Sequence, residues 1–98
     1  MVGTLERKAS NVPPRFVDVE VRDLTGQQTV RLKGLKPETP IADIMGLSKA
    51  GMTLPPNTEW NLRDERSSRL LRQEQTIGDV AGRQDKAELR IQPEARLG

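Results

Sequence analysis

The sequence contains no cysteine and no histidine. Together these absences exclude disulfides, thiol nucleophiles, imidazole general bases and the common zinc-ligand sets. Aromatics are almost missing too: Phe16 and Trp60 are the only ones, so the core has to come mainly from Val, Ile and Leu. No apolar run approaches the ~20 residues of a bilayer-spanning helix. The opening MVGTLERKAS lacks the apolar centre of a signal peptide. Neither sign of charge dominates, with a formal net charge of +2. The expectation is a cytoplasmic, non-enzymatic protein with no metal, no cofactor and no membrane segment. The chain of 98 residues fits one modest domain plus a short tail. At 34% hydrophobic and 31% charged it is polar, yet its apolar residues cluster, which argues against disorder throughout.

Residues 1–14 lack periodicity and close on a Pro-Pro step, reading as a flexible leader. RFVDVEVRD then alternates Val17, Val19 and Val21 with charged residues, the period of a strand with one wet face. LTGQ supplies a turn around Gly26, and TVRLK alternates again with Val30 and Leu32 inward, completing a β-hairpin. The period changes in TPIADIMGLSKAG. Thr39 is the expected N-cap, Pro40 the first helical residue and Gly51 the C′ residue. Ile41, Ile44, Met45 and Ser48 share one face, with Leu47 widening the stripe. LPPN is a stiff connection, EWNLR a strand with Trp60 and Leu62 on one side, and LLR at most an edge strand. TIGDVAG reads as one capped helical turn, and KAELRIQ as a last strand stopped by Pro93. One helix crossing a four- or five-stranded mixed sheet, with the first and last strands parallel and central, is an α+β arrangement of the β-grasp type.

Several segments of this series resemble ubiquitin and its relatives. DLTG is similar to that family's first turn, TPIADI to its helix start, and LPPN to its proline pair. LLRQEQTIGDV is similar to its fourth strand and short turn, and AELRIQPEARLG runs without a gap over its last strand and tail. The likeness covers about residues 15–98 and divides the chain into a leader (1–14), a ubiquitin-like domain (15–93) and a tail (94–98). It implies a prokaryotic ubiquitin-like modifier whose Gly98 carboxylate is adenylated, passed to a cysteine as a thioester and joined to target amines. The implied partners are an activating enzyme, a conjugating enzyme, a processing protease and target proteins. Glu94, Ala95, Arg96 and Leu97 would form the segment the activating enzyme reads. Pro93 would release it, and five extended residues span about 16 Å at ~3.3 Å each. Two features depart from the family pattern. Leu97 stands where a second glycine is usual, and Glu94 where ubiquitin carries an arginine. Leu24 matches one member of the family's apolar partner surface, Gln92 replaces a valine of it, and Asn61 or Arg63 takes the third position. Two alternatives use the same fold: a non-covalent binding module in secretion or assembly, and, less well matched, a sulfur carrier.

Other residues carry blander readings. Trp60 reads as a half-buried strand residue because Leu62 follows at i+2. Arg63, Arg66, Arg69, Arg72, Arg83 and Arg90 are interspersed with Asp64, Glu65 and Glu74 and lack interleaved aromatics. That argues for a solvated face and no nucleic-acid partner. Asp18 and Glu20 are too few for an acid–base or metal site. Lys8, Lys33, Lys36, Lys49 and Lys86 are ordinary surface lysines that chain formation would use, Lys8 being the most accessible.

Overall fold

The alternation of valine with charge in the first expected strand is realised as β1, Val17–Arg22, in which all three valines are buried. In this computed structural model, which describes residues 15–94, six further elements follow. They are β2 (Thr29–Leu35), α1 (Ile41–Gly51), β3 (Trp60–Asp64), β4 (Arg69–Leu70), α2 (Ile77–Ala81) and β5 (Lys86–Pro93). The five strands form one mixed sheet in the order β2-β1-β5-β3-β4. β1 and β5 run parallel at its centre, β2 pairs antiparallel with β1, and β3 pairs antiparallel with β5. This is the β-grasp arrangement that the sequence predicts, with five strands, one long helix and one short one.

The core contains Val17, Val19, Val21, Leu62, Leu89 and Ile91 from the sheet and Ile41, Ile44 and Met45 from α1. Ile77 and Ala81 of α2 close it, while Trp60 is half-buried against it as expected. Met52 and Ala87 complete a core that is mainly Val, Ile and Leu, as composition predicts. Ser48 lies fully inside because its hydroxyl donates to the Ile44 carbonyl at 2.8 Å and needs no other partner.

Three local expectations are corrected. Thr39 does not cap α1. The helix begins after Pro40 with no side-chain cap. Its first N–H groups go to backbone oxygens instead, Ile41 to Gln75 at 2.8 Å and Ala42 to Gln73 at 3.2 Å. The Thr39 carbonyl accepts from Ile77. The segment before α2 therefore caps α1, which binds the two helices into one unit. Gly51 is the last helical residue rather than the C′ residue. A Cβ there would lie 2.8 Å from Val30 Cγ2, so glycine serves the close approach of helix to β2. Leu47 is 47% exposed and adds nothing to the buried stripe.

Candidate functional site

The exit of the sheet is defined by β5. Pro93 lies opposite Trp60, and Gln92 opposite Asn61. Pro93 is the last strand residue, yet the ladder gains one more bond: the Glu94 N–H donates to the Glu59 carbonyl at 2.8 Å. Glu94, expected in the tail, is thus held at the end of the sheet by its backbone. Ala95, Arg96, Leu97 and Gly98 lie outside the described residues.

The loop carrying Leu24 is tied at the same end of the sheet. Asp23 is buried, and its carboxylate accepts from the Thr25 hydroxyl at 2.9 Å and the Gln27 N–H at 3.1 Å. The Gln28 N–H and side-chain amide also donate to it, each at 3.3 Å. Burial alone pushes the Asp23 carboxyl up; the donors from Thr25, Gln28 and Gly26 outweigh it and hold its pKa below the ordinary aspartate value. The Gln28 amide then spans to the Thr53 backbone, donating to its carbonyl at 3.0 Å and accepting from its N–H at 2.8 Å. This network fixes the loop while Leu24 projects from it, 52% exposed.

Between the loop and the far edge lies the open face of the sheet. Its residues alternate with the buried ones, and register sorts them by charge. Arg22 of β1 neighbours Arg90 of β5, and Arg90 lies opposite Arg63 of β3, which lies opposite Leu70 of β4. Two residues back along the strands, Glu20 neighbours Glu88, whose carbonyl accepts from the Glu65 N–H. A row of three arginines therefore runs beside a row of three glutamates. Glu20 pairs with Arg22 at 3.1 Å and with Arg31 at 3.2 Å, and Glu65 pairs with Arg90. Arg63 has no ion pair among the described residues, and its Nε is buried without a hydrogen-bond acceptor. Leaving such a donor unmet costs about 1–3 kcal/mol. Like charges on facing strands add a further penalty.

Comparisons with solved structures place this arrangement. No protein-family model matches the sequence, and no curated protein does. A ubiquitin from Caldiarchaeum subterraneum aligns with a TM-score of 0.63 at 18% identity, covering 85% of this chain and 99% of that one. A ubiquitin-fold protein from Arabidopsis thaliana aligns at 0.60 with 12% identity, covering 89% and 94%. This is a ubiquitin-like β-grasp fold. The same ubiquitin-like fold occurs within the MycP5-free ESX-5 inner membrane complex, with a TM-score of 0.57 and 18% identity; the match covers 87% of this chain and only 22% of that one. At such identities the fold is shared, and function has to be argued from residues.

On the ubiquitin-like fold, the predicted partner residues Leu24 and Gln92 lie at one end of the sheet: Leu24 is two residues beyond Arg22 and Gln92 two beyond Arg90. Asn61 faces Gln92 and Arg63 faces Arg90, so both candidates for the third position are on the open face. The arginines considered as a basic face do not act as a set. Arg63 and Arg90 come together, Arg72 pairs with Glu74 on an exposed loop, and Arg66 sits in the β3–β4 turn. Sequence reasoning missed Arg22 as their companion. Its alternation with buried valines was visible, but the parallel register of β1 and β5 was not. Among the described residues no helix is long and apolar enough to cross a membrane.

Proposed function

We propose that the protein is a ubiquitin-like modifier acting in the cytoplasm. The observation that carries this reading is the end of β5, a central strand whose last backbone bond, Glu94 to Glu59, anchors the chain directly before Ala95-Arg96-Leu97-Gly98. An adenylating enzyme needs a carboxylate presented from a fixed body. The Gly98 carboxylate, as encoded or after trimming by a protease, attacks the α-phosphate of ATP and releases pyrophosphate. An enzyme thiolate displaces AMP, and a target lysine amine displaces the thiolate to form an isopeptide bond. All catalytic groups belong to the enzymes, which suits a chain without cysteine or histidine. Glycine, lacking Cβ, leaves the reacting carbonyl approachable. Arg96 and Leu97 supply a charge and a small apolar group for the enzyme channel, and Glu94 supplies a charge opposite to that of an arginine at this point.

The test is to express the full chain and its Gly98 deletion in the native cells and compare adducts that survive denaturation and thiol reduction. Adducts from the full chain alone support the modifier; equal patterns, or none, oppose it. Glu94→Arg should lower thioester loading by the cognate activating enzyme, and an unchanged yield would remove Glu94 from recognition.

A second reading, a non-covalent binding module, is favoured by the likeness to a portion of a chain in the ESX-5 inner membrane complex. It predicts stable complexes that Gly98 deletion leaves intact.

A further inference from the structure

We propose that the open face of the sheet binds an acidic polypeptide segment, with the Arg22–Arg90–Arg63 row as its contact and Arg63 as the principal anchor. The proposal does not involve residues 95–98, so it stands or falls separately from conjugation.

Two physical features converge on this site. The first is the row itself. Three arginines stand in register on adjacent strands, their backbones about 4.8 Å apart, so the row of backbone positions is roughly 10 Å long. Repulsion between like charges on neighbouring strands opposes the row, offset at Arg22 and Arg90 by their glutamate partners and at Arg63 by none among the described residues. The row's length suits two or three carboxylates of a short extended segment. The second is the uneven satisfaction of the row. Arg22 and Arg90 have carboxylate partners, whereas Arg63 has none among the described residues and its Nε lacks an acceptor. A carboxylate approaching from solvent would draw the Arg63 guanidinium outward and take a two-pronged hydrogen bond, the strongest geometry available to arginine. Leu70 lies opposite Arg63 at one end of the row, and Leu24 follows Arg22 by two residues at the other, each 52% exposed. They would receive apolar side chains flanking the acidic ones.

The same geometry disfavours a nucleic acid. The glutamate row Glu20–Glu88–Glu65 lies only two residues from the arginines, about 6.6 Å along a strand. A duplex carries one phosphate charge per ~1.7 Å of its axis and would overlie both rows. No ring stands among the arginines for base stacking: Trp60 packs against the core, and the exposed Phe16 precedes β1, six positions before Arg22 and beyond the glutamate row. A short acidic segment centred on Arg63, the one arginine of the row without a glutamate partner among the described residues, overlies less of the glutamate row than a duplex would.

The experiment uses the full chain and an acetylated, amidated peptide Leu-Asp-Glu-Asp-Leu, titrated by NMR with observation of the arginine Nε–H signals. Its Leu-Asn-Gln-Asn-Leu counterpart is the control. The expected result is saturable shifts at Arg63, Arg90 and Arg22, no shifts with the control, and weakening as salt rises from about 50 to about 300 mM. Arg63→Gln should weaken binding about tenfold, the loss expected for a charge-assisted pair. Arg22→Gln provides an independent variant that should weaken it less, and native-like amide spectra of both variants confirm folding. Shifts elsewhere, equal binding of the control, or unchanged affinity in folded Arg63→Gln would overturn the proposal. So would tighter binding of a mixed-sequence oligonucleotide at the same salt, or self-association of the free chain through this face.

Discussion

The two faces of the sheet are built from the same strands and obey different rules. On β1 and β5, Val17, Val19, Val21, Ala87, Leu89 and Ile91 point into the core, while Glu20, Arg22, Glu88, Arg90 and Gln92 alternate with them on the other side. The buried face is under α1 and tolerates little besides close-packed aliphatics. The open face carries rows of like charge, joined in part by ion pairs between them, and leaves Arg63 without one among the described residues. Adjacent residues thus serve separate ends, and substitutions one or two positions apart should differ sharply in effect.

The largest contrast lies within β5. Leu89→Ala should destabilise the protein by about 2–5 kcal/mol, since its side chain is fully buried and the cavity cannot collapse. Gln92→Ala, three positions along on the open face, should stay within about 0.5 kcal/mol. Chemical denaturation of both variants checks this; equal losses would erase the distinction between faces. Gly78→Ala ranks next. A Cβ there would lie 2.9 Å from both the Cβ and the carbonyl oxygen of Pro37, and that oxygen already accepts from the Gly78 N–H at 2.8 Å. Because the obstructing atom is backbone, the expected loss is about 1–3 kcal/mol, the range for overpacking. A neutral outcome in the same denaturation experiment would show that the segment before α1 yields freely and is not part of the rigid core.

The buried face was far more legible in the sequence than the open one. Val17, Val19 and Val21 announce themselves by period 2, and Ile41, Ile44, Met45 and Ser48 by period 3.6. The α2 turn was legible as well: Thr76 accepts from the Asp79 N–H, as its position before IGDVA implies. What the sequence concealed depends on contacts distant along the chain. The start of α1 is capped by Gln73 and Gln75, more than thirty positions later, so the local sequence points to Thr39 instead. Helix-end chemistry is what the local sequence suggests for Gly51, whereas its decisive neighbour is Val30. The arginine row requires both the β1–β5 and β3–β5 registers, neither of which is encoded locally.

Asp23 organises the β1–β2 loop at the sheet's end, and its effect depends on pH. Its folded-state pKa is lowered, so its stabilisation is fully present above the unfolded value, about 3.9. That stabilisation is lost as pH falls through the lower folded value. Thermal unfolding of wild type and Asp23→Asn from about pH 6 to about pH 2 should show wild type higher at the upper end and the gap closing on acidification. A gap that persists unchanged at the acid end would assign the difference to amide geometry rather than charge.

The smallest effect is the most informative about the open face, because its sign is at issue. Arg63→Met keeps the stem that packs on the sheet while removing a buried Nε without an acceptor and one of three adjacent positive charges. The expected outcome is no loss, or a gain of up to about 1 kcal/mol, because replacing an unmet donor by an apolar group of similar shape removes its desolvation penalty. Arg90→Met is the matched comparison. It forfeits the pairing with Glu65 and should lose up to about 1 kcal/mol, the usual range for a partly exposed ion pair. If Arg63→Met instead destabilises as much as Arg90→Met, the Arg63 guanidinium is held by the fold, and the open face is no freer than the buried one. If it stabilises, the fold tolerates Arg63 at a net cost, and the reason for an arginine at this point has to lie in what the face binds.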